Sequence, residues 1–395
     1  MQTNVPATGL PMGIRPSGAV STQVHDDPDL LRSMMEALKR APATYRTTNY
    51  WDVYERLFLP ELSRHGLKDF RRRKRSVLSR FGATDLLPDF GRLDLRRSRL
   101  FNNRILRALP CWEGSIALLE SLLGRILPIS SDFYYYDLEK LHIRACEFVE
   151  RQAEIGGALP LTAFEASLCG NPEDLVRYKG RNYTMPMLYY YLRYVYCCRF
   201  VDFSKIDVLV ELGSGSGKQI EILKKLYPRM TVLLFDVPPQ LYVCEQYLKE
   251  VFPGDVVSFR DTENWTSLAG LQAGKIHVFG SWHFPVLEGA KIDLFWNAAS
   301  FQEMEPEVVV NYLKYVNSSA QKAFLQEIMA GKPVAKASGA PGVMKPTTFE
   351  DYKSALSAFD MVDLSPSMGP MNDLDESDSF WVRRGVTSAR GRSPA

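Results

Sequence analysis

Val208-Leu-Val-Glu-Leu-Gly-Ser-Gly-Ser-Gly-Lys218 opens as an apolar run and closes in glycines at 213, 215 and 217. The run has the length of a strand buried on both faces and is too short for a helix. From Lys218 to Leu226 the pattern turns helical, with Ile220, Leu223, Lys224 and Tyr227 spaced by three or four, which predicts an amphipathic helix. Strand, glycine turn and helix in this order open a nucleotide-binding α/β unit. Glycine is needed where the chain takes φ > 0, or where backbone must approach a ligand without a Cβ between them. The third glycine falls one residue earlier than the dinucleotide rule G-x-G-x-x-G allows, and Lys218 stands where that rule wants Gly or Ala. No Gly-Lys-Ser/Thr follows, so the loop is not a P-loop.

Glu211-Leu-Gly-Ser-Gly-Ser-Gly217 resembles motif I, E/D-x-G-x-G-x-G, of the class I S-adenosylmethionine-dependent methyltransferases. The next predicted strand, Thr231-Val-Leu-Leu-Phe-Asp236, ends in an acid nineteen residues after Gly217. The resemblance implies that Glu211 lies near the methionine ammonium and that Asp236 accepts the ribose hydroxyls. It also implies an α/β fold: a Rossmann-like class I methyltransferase domain with a mostly parallel sheet, here preceded by an α-helical N-terminal region.

Around this core the sequence alternates strands and helices, which argues for a parallel sheet. A helix is predicted from Pro239 to Val251. Val256 to Phe259 and Ile276 to Trp282 compete as the third main strand, and the second is preferred because it runs into a polar turn. Ile292 to Asn297 and Ala323 to Ile328 read as the fourth and fifth strands, with a helix from Pro306 to Asn317 between them. A helix over Thr348 to Phe359 precedes a closing pair of strands, Met361–Leu364 and Ser379–Arg383. Upstream, helices are predicted over Asp29–Arg40, Tyr50–Leu62, Trp112–Leu123, Tyr134–Gln152 and Met187–Phe200. The last is crowded with tyrosines at 189, 190, 191, 194 and 196, read either as core or as a wall lining the substrate. The expected organisation is a flexible tail over 1–25, a helical region over 26–200, the methyltransferase domain over 201–384 and a basic tail over 385–395.

The chain has 395 residues, room for two or three domains, with 46% hydrophobic and 24% charged residues as in ordinary globular proteins. A net charge of +2 singles out no partner. Six cysteines without a C-x-x-C pair fit neither a zinc site nor a disulfide framework, so reduced thiols in the cytoplasm are expected and no metal is called for. No signal peptide and no apolar run of membrane-spanning length is found. Between Arg64 and Arg107 stand 14 Lys/Arg against four Asp, including Arg71-Arg-Arg-Lys-Arg75. Phe70, Val77, Leu78 and Phe81 run through this stretch as an apolar stripe, which predicts a packed helix whose charge is offset elsewhere, rather than a nucleic-acid surface.

Three further segments narrow the resemblance. Asp236-Val-Pro-Pro-Gln-Leu-Tyr-Val-Cys-Glu-Gln-Tyr-Leu248, Asn297-Ala-Ala-Ser-Phe-Gln-Glu-Met304 and Gly170-Asn-Pro172 look like motifs of the putative sugar O-methyltransferases of bacterial glycan clusters, over roughly residues 165 to 384. The implied function is transfer of a methyl group to a hydroxyl of a sugar or glycosylated intermediate. The implied partner is a small-molecule or glycan acceptor, and a homo-oligomer is compatible with it. The cofactor is expected against Glu211, Gly213, Ser214, Gly215, Gly217, Asp236, Val237, Ser281, Trp282 and Asn297. These positions all fall at predicted carboxyl ends of strands, where open α/β sheets bind ligands. Trp282 is read as an adenine platform or a packed ring. A sugar hydroxyl needs a general base, for which Glu303 and His283 are the candidates. Glu303 has a competing reading as a cap for the helix near Pro306, and His283 as a structural histidine. A nicotinamide-dependent reductase is disfavoured by the early third glycine and by the lack of a Tyr-x-x-x-Lys pair after the fourth strand. A non-catalytic scaffold is disfavoured by an intact motif I together with Asp236 and Ser-Phe-Gln-Glu-Met.

Overall fold

The structure, a computed structural model, describes residues 22–87, 131–370 and 373–385, with positions 115 and 119 between them. The expected tails over 1–21 and 386–395, most of the Trp112–Leu123 helix, and the basic positions 88–107 lie outside the described residues.

Among the described residues, the helices named first are α1 (Pro28–Arg40), α2 (Asn49–His65) and α3 (Ser131–Gly156). Asp27 accepts from the Leu30 amide and Pro28 sits at the first helical position, which together fix where α1 begins. A small hairpin, β1 (Val176–Tyr178) and β2 (Arg181–Tyr183), leads into the tyrosine helix α4 (Met185–Cys198). The alternating part follows as β3 (Val208–Leu212), α5 (Lys218–Leu226), β4 (Thr231–Asp236), α6 (Pro238–Val251), β5 (Val256–Val257), α7 (Phe259–Thr262) and β6 (Ile276–Gly280). It continues through β7 (Ile292–Ala298), α8 (Pro306–Ser319), β8 (Ala320–Glu327), α9 (Phe349–Ala355), β9 (Phe359–Met368) and β10 (Asp373–Arg383).

Eight strands form one sheet in the order β5-β6-β4-β3-β7-β8-β10-β9. Neighbours from β5 to β8 run parallel, and β10 lies antiparallel to both β8 and β9. The expected mostly parallel Rossmann-like sheet behind an N-terminal helical region is therefore what forms. β6 takes the place of the third main strand, with β5 added outside it. The strand order reverses at β3, whose neighbours are β4 and β7. Register brings the carboxyl ends together: Leu212 opposite Phe235, Asp236 opposite Gly280, and Glu211 opposite Trp296. Ligands of such sheets sit at this switch point.

Three expectations change. The stripe through Phe70, Val77, Leu78 and Phe81 does not form one helix but two short 3-10 turns, Phe70–Arg72 and Val77–Phe81. Asp69 and Arg75, both at positive φ, interrupt any continuous helix there. α9 stops at Ala355, because Phe359 already pairs with Arg383 across the β9–β10 hairpin. α5 forms as an amphipathic helix but does not lie at the surface: Lys218, Gln219, Glu221 and Lys224 are buried along with Ile220, Ile222 and Leu223. Its polar side faces protein, not water, since α4 and the 70–87 segment pack over it. Buried apolar residues from Val24 to Val382 form one continuous core, so the helical N-terminal residues share it with the sheet.

Candidate active site

The glycine loop leaves β3 and enters α5 with Gly213, Gly215 and Gly217 all at positive φ. Their reasons differ. A Cβ on Gly213 would lie 2.3 Å from the Ser300 Cβ, and one on Gly217 would lie 2.9 Å from Leu248, so both are small because protein packs there. A Cβ on Gly215 would meet nothing nearer than the Phe81 carbonyl at 3.8 Å. The middle glycine thus opens on free space beneath the 77–81 turn.

Asp236 folds over this loop. One carboxylate oxygen accepts from the Gly215 amide at 3.0 Å and the Ser214 hydroxyl at 3.2 Å, and the other from the Val237 amide at 2.7 Å. Burial nevertheless pushes its pKa up to about 7. Glu211 is buried beside it, one of its oxygens without a partner, and burial raises its pKa to about 8. Ser216 carries another buried hydroxyl with no partner, and Gln219 a whole unpartnered amide. Buried polar atoms are nearly always satisfied, so a cluster of orphans around an open glycine loop fits a polar, cationic ligand. The residues present therefore fit the expected cofactor.

At the end of β6 the chain winds through Ser281–Leu287. Ser281 is buried close to Tyr312, and the Trp282 ring folds back over Gly280 with its edge against Phe259. His283 follows Trp282 in this turn. Its Nε2 donates to the Glu263 carbonyl at 2.9 Å and its ring packs among Phe259, Phe279 and Trp282, with burial lowering its pKa. These contacts hold the ring in place, while its Nδ1 is buried with no hydrogen-bond partner among the described residues.

Asn297 lies near the end of β7. It is fully buried, its amide donating to the Leu212 carbonyl at 2.8 Å and accepting from the Phe301 amide at 3.1 Å. Both ends are engaged within the protein, so it ties the Ser-Phe-Gln-Glu turn to the root of the glycine loop. Ala299, at φ +60°, makes the bend that starts this turn. Glu327 finishes it by accepting from the Phe301 and Gln302 amides, while the Gln302 side chain accepts from Ile328.

This scaffold presents Glu303. Its carboxylate does not cap α8: the residue before that helix is Glu305, which makes no side-chain cap bond. Instead Glu303 lies buried, 3.1 Å from the Lys332 ammonium, with the Tyr50 and Trp51 side chains facing it. Burial raises its pKa and Lys332 opposes the rise. Tyr50, Tyr54, Trp51, Phe58 and Phe81 form a ring cluster with centroids 4.8–6.4 Å apart, which continues from Glu303 to the turn above Gly215. Sequence reasoning missed Tyr50, Trp51, Lys332 and Glu327. Tyr50 and Lys332 are 282 residues apart, and no local pattern links them.

Residues 192–263, the segment from α4 through the glycine loop, β4 and α6, match the family model of the O-methyltransferase domain. This bears out the expected O-methyltransferase class. Among curated protein sequences, none matches the chain. Among solved structures, magnesium protoporphyrin IX methyltransferase from Synechocystis PCC 6803 with bound SAM is 14% identical, covering 46% of this chain and 72% of its own, with a TM-score of 0.30. The mitomycin 7-O-methyltransferase MmcR is 13% identical over 62% and 68%, at 0.32. The pyocyanin biosynthetic protein PhzM is 14% identical over 50% and 56%, at 0.34. The strand order and register of the sheet define the fold.

Proposed function

We propose that this protein is an S-adenosylmethionine-dependent O-methyltransferase that methylates a hydroxyl of a sugar or sugar-bearing intermediate, with Glu303 as the general base. The observation that carries the reading is a buried carboxylate, Glu303, facing aromatic side chains at the sheet edge that also holds the open glycine loop. Glu211 would hold the cofactor's ammonium, Asp236 its ribose hydroxyls, and Gly215 would let the loop backbone come close. When bound, the cofactor supplies a methyl group already activated on a sulfonium. The chain's own task is to seat the acceptor, exclude water and take the hydroxyl proton. Glu303 suits the last role, because burial raises its basicity while the Lys332 ammonium 3.1 Å away favours its charged form. The aromatic faces of Tyr50 and Trp51 suit the apolar face of a ring whose rim carries hydroxyls.

The reading is tested by incubating the protein with methyl-labelled S-adenosylmethionine and two acceptor panels, sugars with nucleotide sugars, and planar phenols. Label is expected on a sugar hydroxyl, and Glu303→Gln should lower the rate on the order of 10²–10⁴-fold while S-adenosylhomocysteine still binds. Labelling of phenols alone would overturn the sugar assignment. A near-normal rate in Glu303→Gln would remove Glu303 as the base.

A further inference from the structure

Lys332 reaches Glu303 from the loop that follows β8. That loop is held in place from two sides. Val334 bridges Val343 within it, and the Asn49 side chain at the start of α2 clasps it, donating to the Ala340 and Gly342 carbonyls and accepting from the Gly339 amide. The Lys332 ammonium is thereby fixed 3.1 Å from the Glu303 carboxylate and 3.2 Å from the Tyr50 hydroxyl, and lies 4.9 Å from the centre of the Tyr50 ring. Among the described residues, charged groups bear on Glu303 from several elements. Asp236 at the end of β4 and Glu327 at the end of β8 are carboxylates and oppose its ionisation. Tyr50 and Trp51 face it from α2 as neutral groups, and Lys332 is the cation that faces it.

We propose that Lys332 is the positioning residue for methyl transfer, holding Glu303 ionised and aimed so that it can take the acceptor's proton. The inference rests on Glu303 being the base. A buried carboxylate flanked by two others retains its proton in the absence of a nearby cation, and a protonated carboxyl has no capacity to accept another. The clasp by Asn49 matters for the same reason, since a lysine on a loose loop would leave the carboxylate for water. The Tyr50 hydroxyl accepts one ammonium hydrogen and so limits the directions the lysine can point.

The experiment is the pH profile of kcat/KM for the wild-type chain and for Lys332→Met, Lys332→Gln and Lys332→Arg, with S-adenosylhomocysteine binding measured on each to show that the site is assembled. Removing an opposite charge at this range moves a carboxylate pKa up by about 1–3 units. The acid limb of the profile should therefore shift upward by that amount in Lys332→Met and Lys332→Gln, each unit costing about tenfold in rate below the limb. Lys332→Arg, which keeps the charge, should return most of the shift. A merely structural lysine would lower the whole profile without moving its limb, and that result would overturn the proposal. If the limb stays put in both neutral variants while Glu303→Gln is inactive, Glu303 is the base and Lys332 does not tune it. If Glu303→Gln keeps its rate, the base assignment falls and the role of Lys332 falls with it.

Discussion

The Lys218 ammonium lies 2.9 Å from the Asp85 carboxylate, both side chains fully buried. Arg71, also fully buried, meets the same carboxylate at 2.5 Å, and the Thr184 hydroxyl donates to its other oxygen at 2.7 Å. Lys218 further donates to the Gly82 carbonyl at 2.7 Å. The first residue of α5, directly after the glycine loop, is thus tied to the N-terminal segment that arches over that loop. Asp85 is held below the usual carboxylate range because the attraction of Arg71 and Lys218 outweighs its burial, while burial pushes Lys218 down to about 8.

Breaking this cluster from one side leaves buried charge uncompensated. Asp85→Asn should cost about 3–5 kcal/mol of unfolding free energy, read from chemical denaturation. Lys218→Met should cost less, because Arg71 still pairs with Asp85. A loss under about 1 kcal/mol for Asp85→Asn, the scale of an exposed pair, would contradict the buried network.

Glu211 and Asp236 contribute to the pH response in one direction. Both are raised by burial, to about 8 and about 7, whereas in the unfolded chain they ionise near pH 4. Between roughly pH 4 and 8 the folded state holds protons that the unfolded state has released, so stability should fall as pH rises through that window. Above pH 8 the depressed Lys218 acts with the opposite sign, since there the unfolded chain binds the extra proton. Melting temperatures taken without ligand should drop from pH 5 to pH 8, and Glu211→Gln should flatten part of the slope. A rise in melting temperature over that range would contradict the assignment.

Asp236→Ala should weaken S-adenosylhomocysteine by about ten- to a hundredfold, the loss of charge-assisted hydrogen bonds worth roughly 1.5–3 kcal/mol. The same variant should also melt earlier, because the Gly215 and Val237 amides lose their acceptor. Asp236→Glu should recover little affinity, its longer arm misplacing both oxygens. Unchanged affinity in the alanine variant would take Asp236 out of the site.

Much of the framework is legible in the sequence for a local reason. Strand, glycine turn and helix at 208–226, the acid closing β4, and the later alternation each write their structure into consecutive residues. Motif residues were therefore found, and Gly215 has the open space expected of it. What stayed hidden depends on distant partners. Arg71 sits in a run of five basic residues and reads as solvated surface until Asp85 and the Ser167 and Cys169 carbonyls are seen around its guanidinium. Asn297 lies within a motif, yet only the register of β3 against β7 reveals that its amide binds backbone. His283 carries the side chain expected of a base, and its contacts with the Phe259 ring and the Glu263 carbonyl come from the β5–β6 connection, which no spacing announces.

The central claim is that the open glycine loop and Asp236 serve S-adenosylmethionine, and calorimetric titration of the full chain tests it most directly. S-adenosylmethionine and S-adenosylhomocysteine should bind saturably, with no saturable binding of NADH or NADPH. Gly215→Val, whose side chain would enter the open space, should lose that binding while the folded protein persists with a lowered melting temperature, the left-handed backbone costing about 1–2 kcal/mol. Tight nicotinamide binding, or full affinity for S-adenosylhomocysteine in Gly215→Val, would contradict the account.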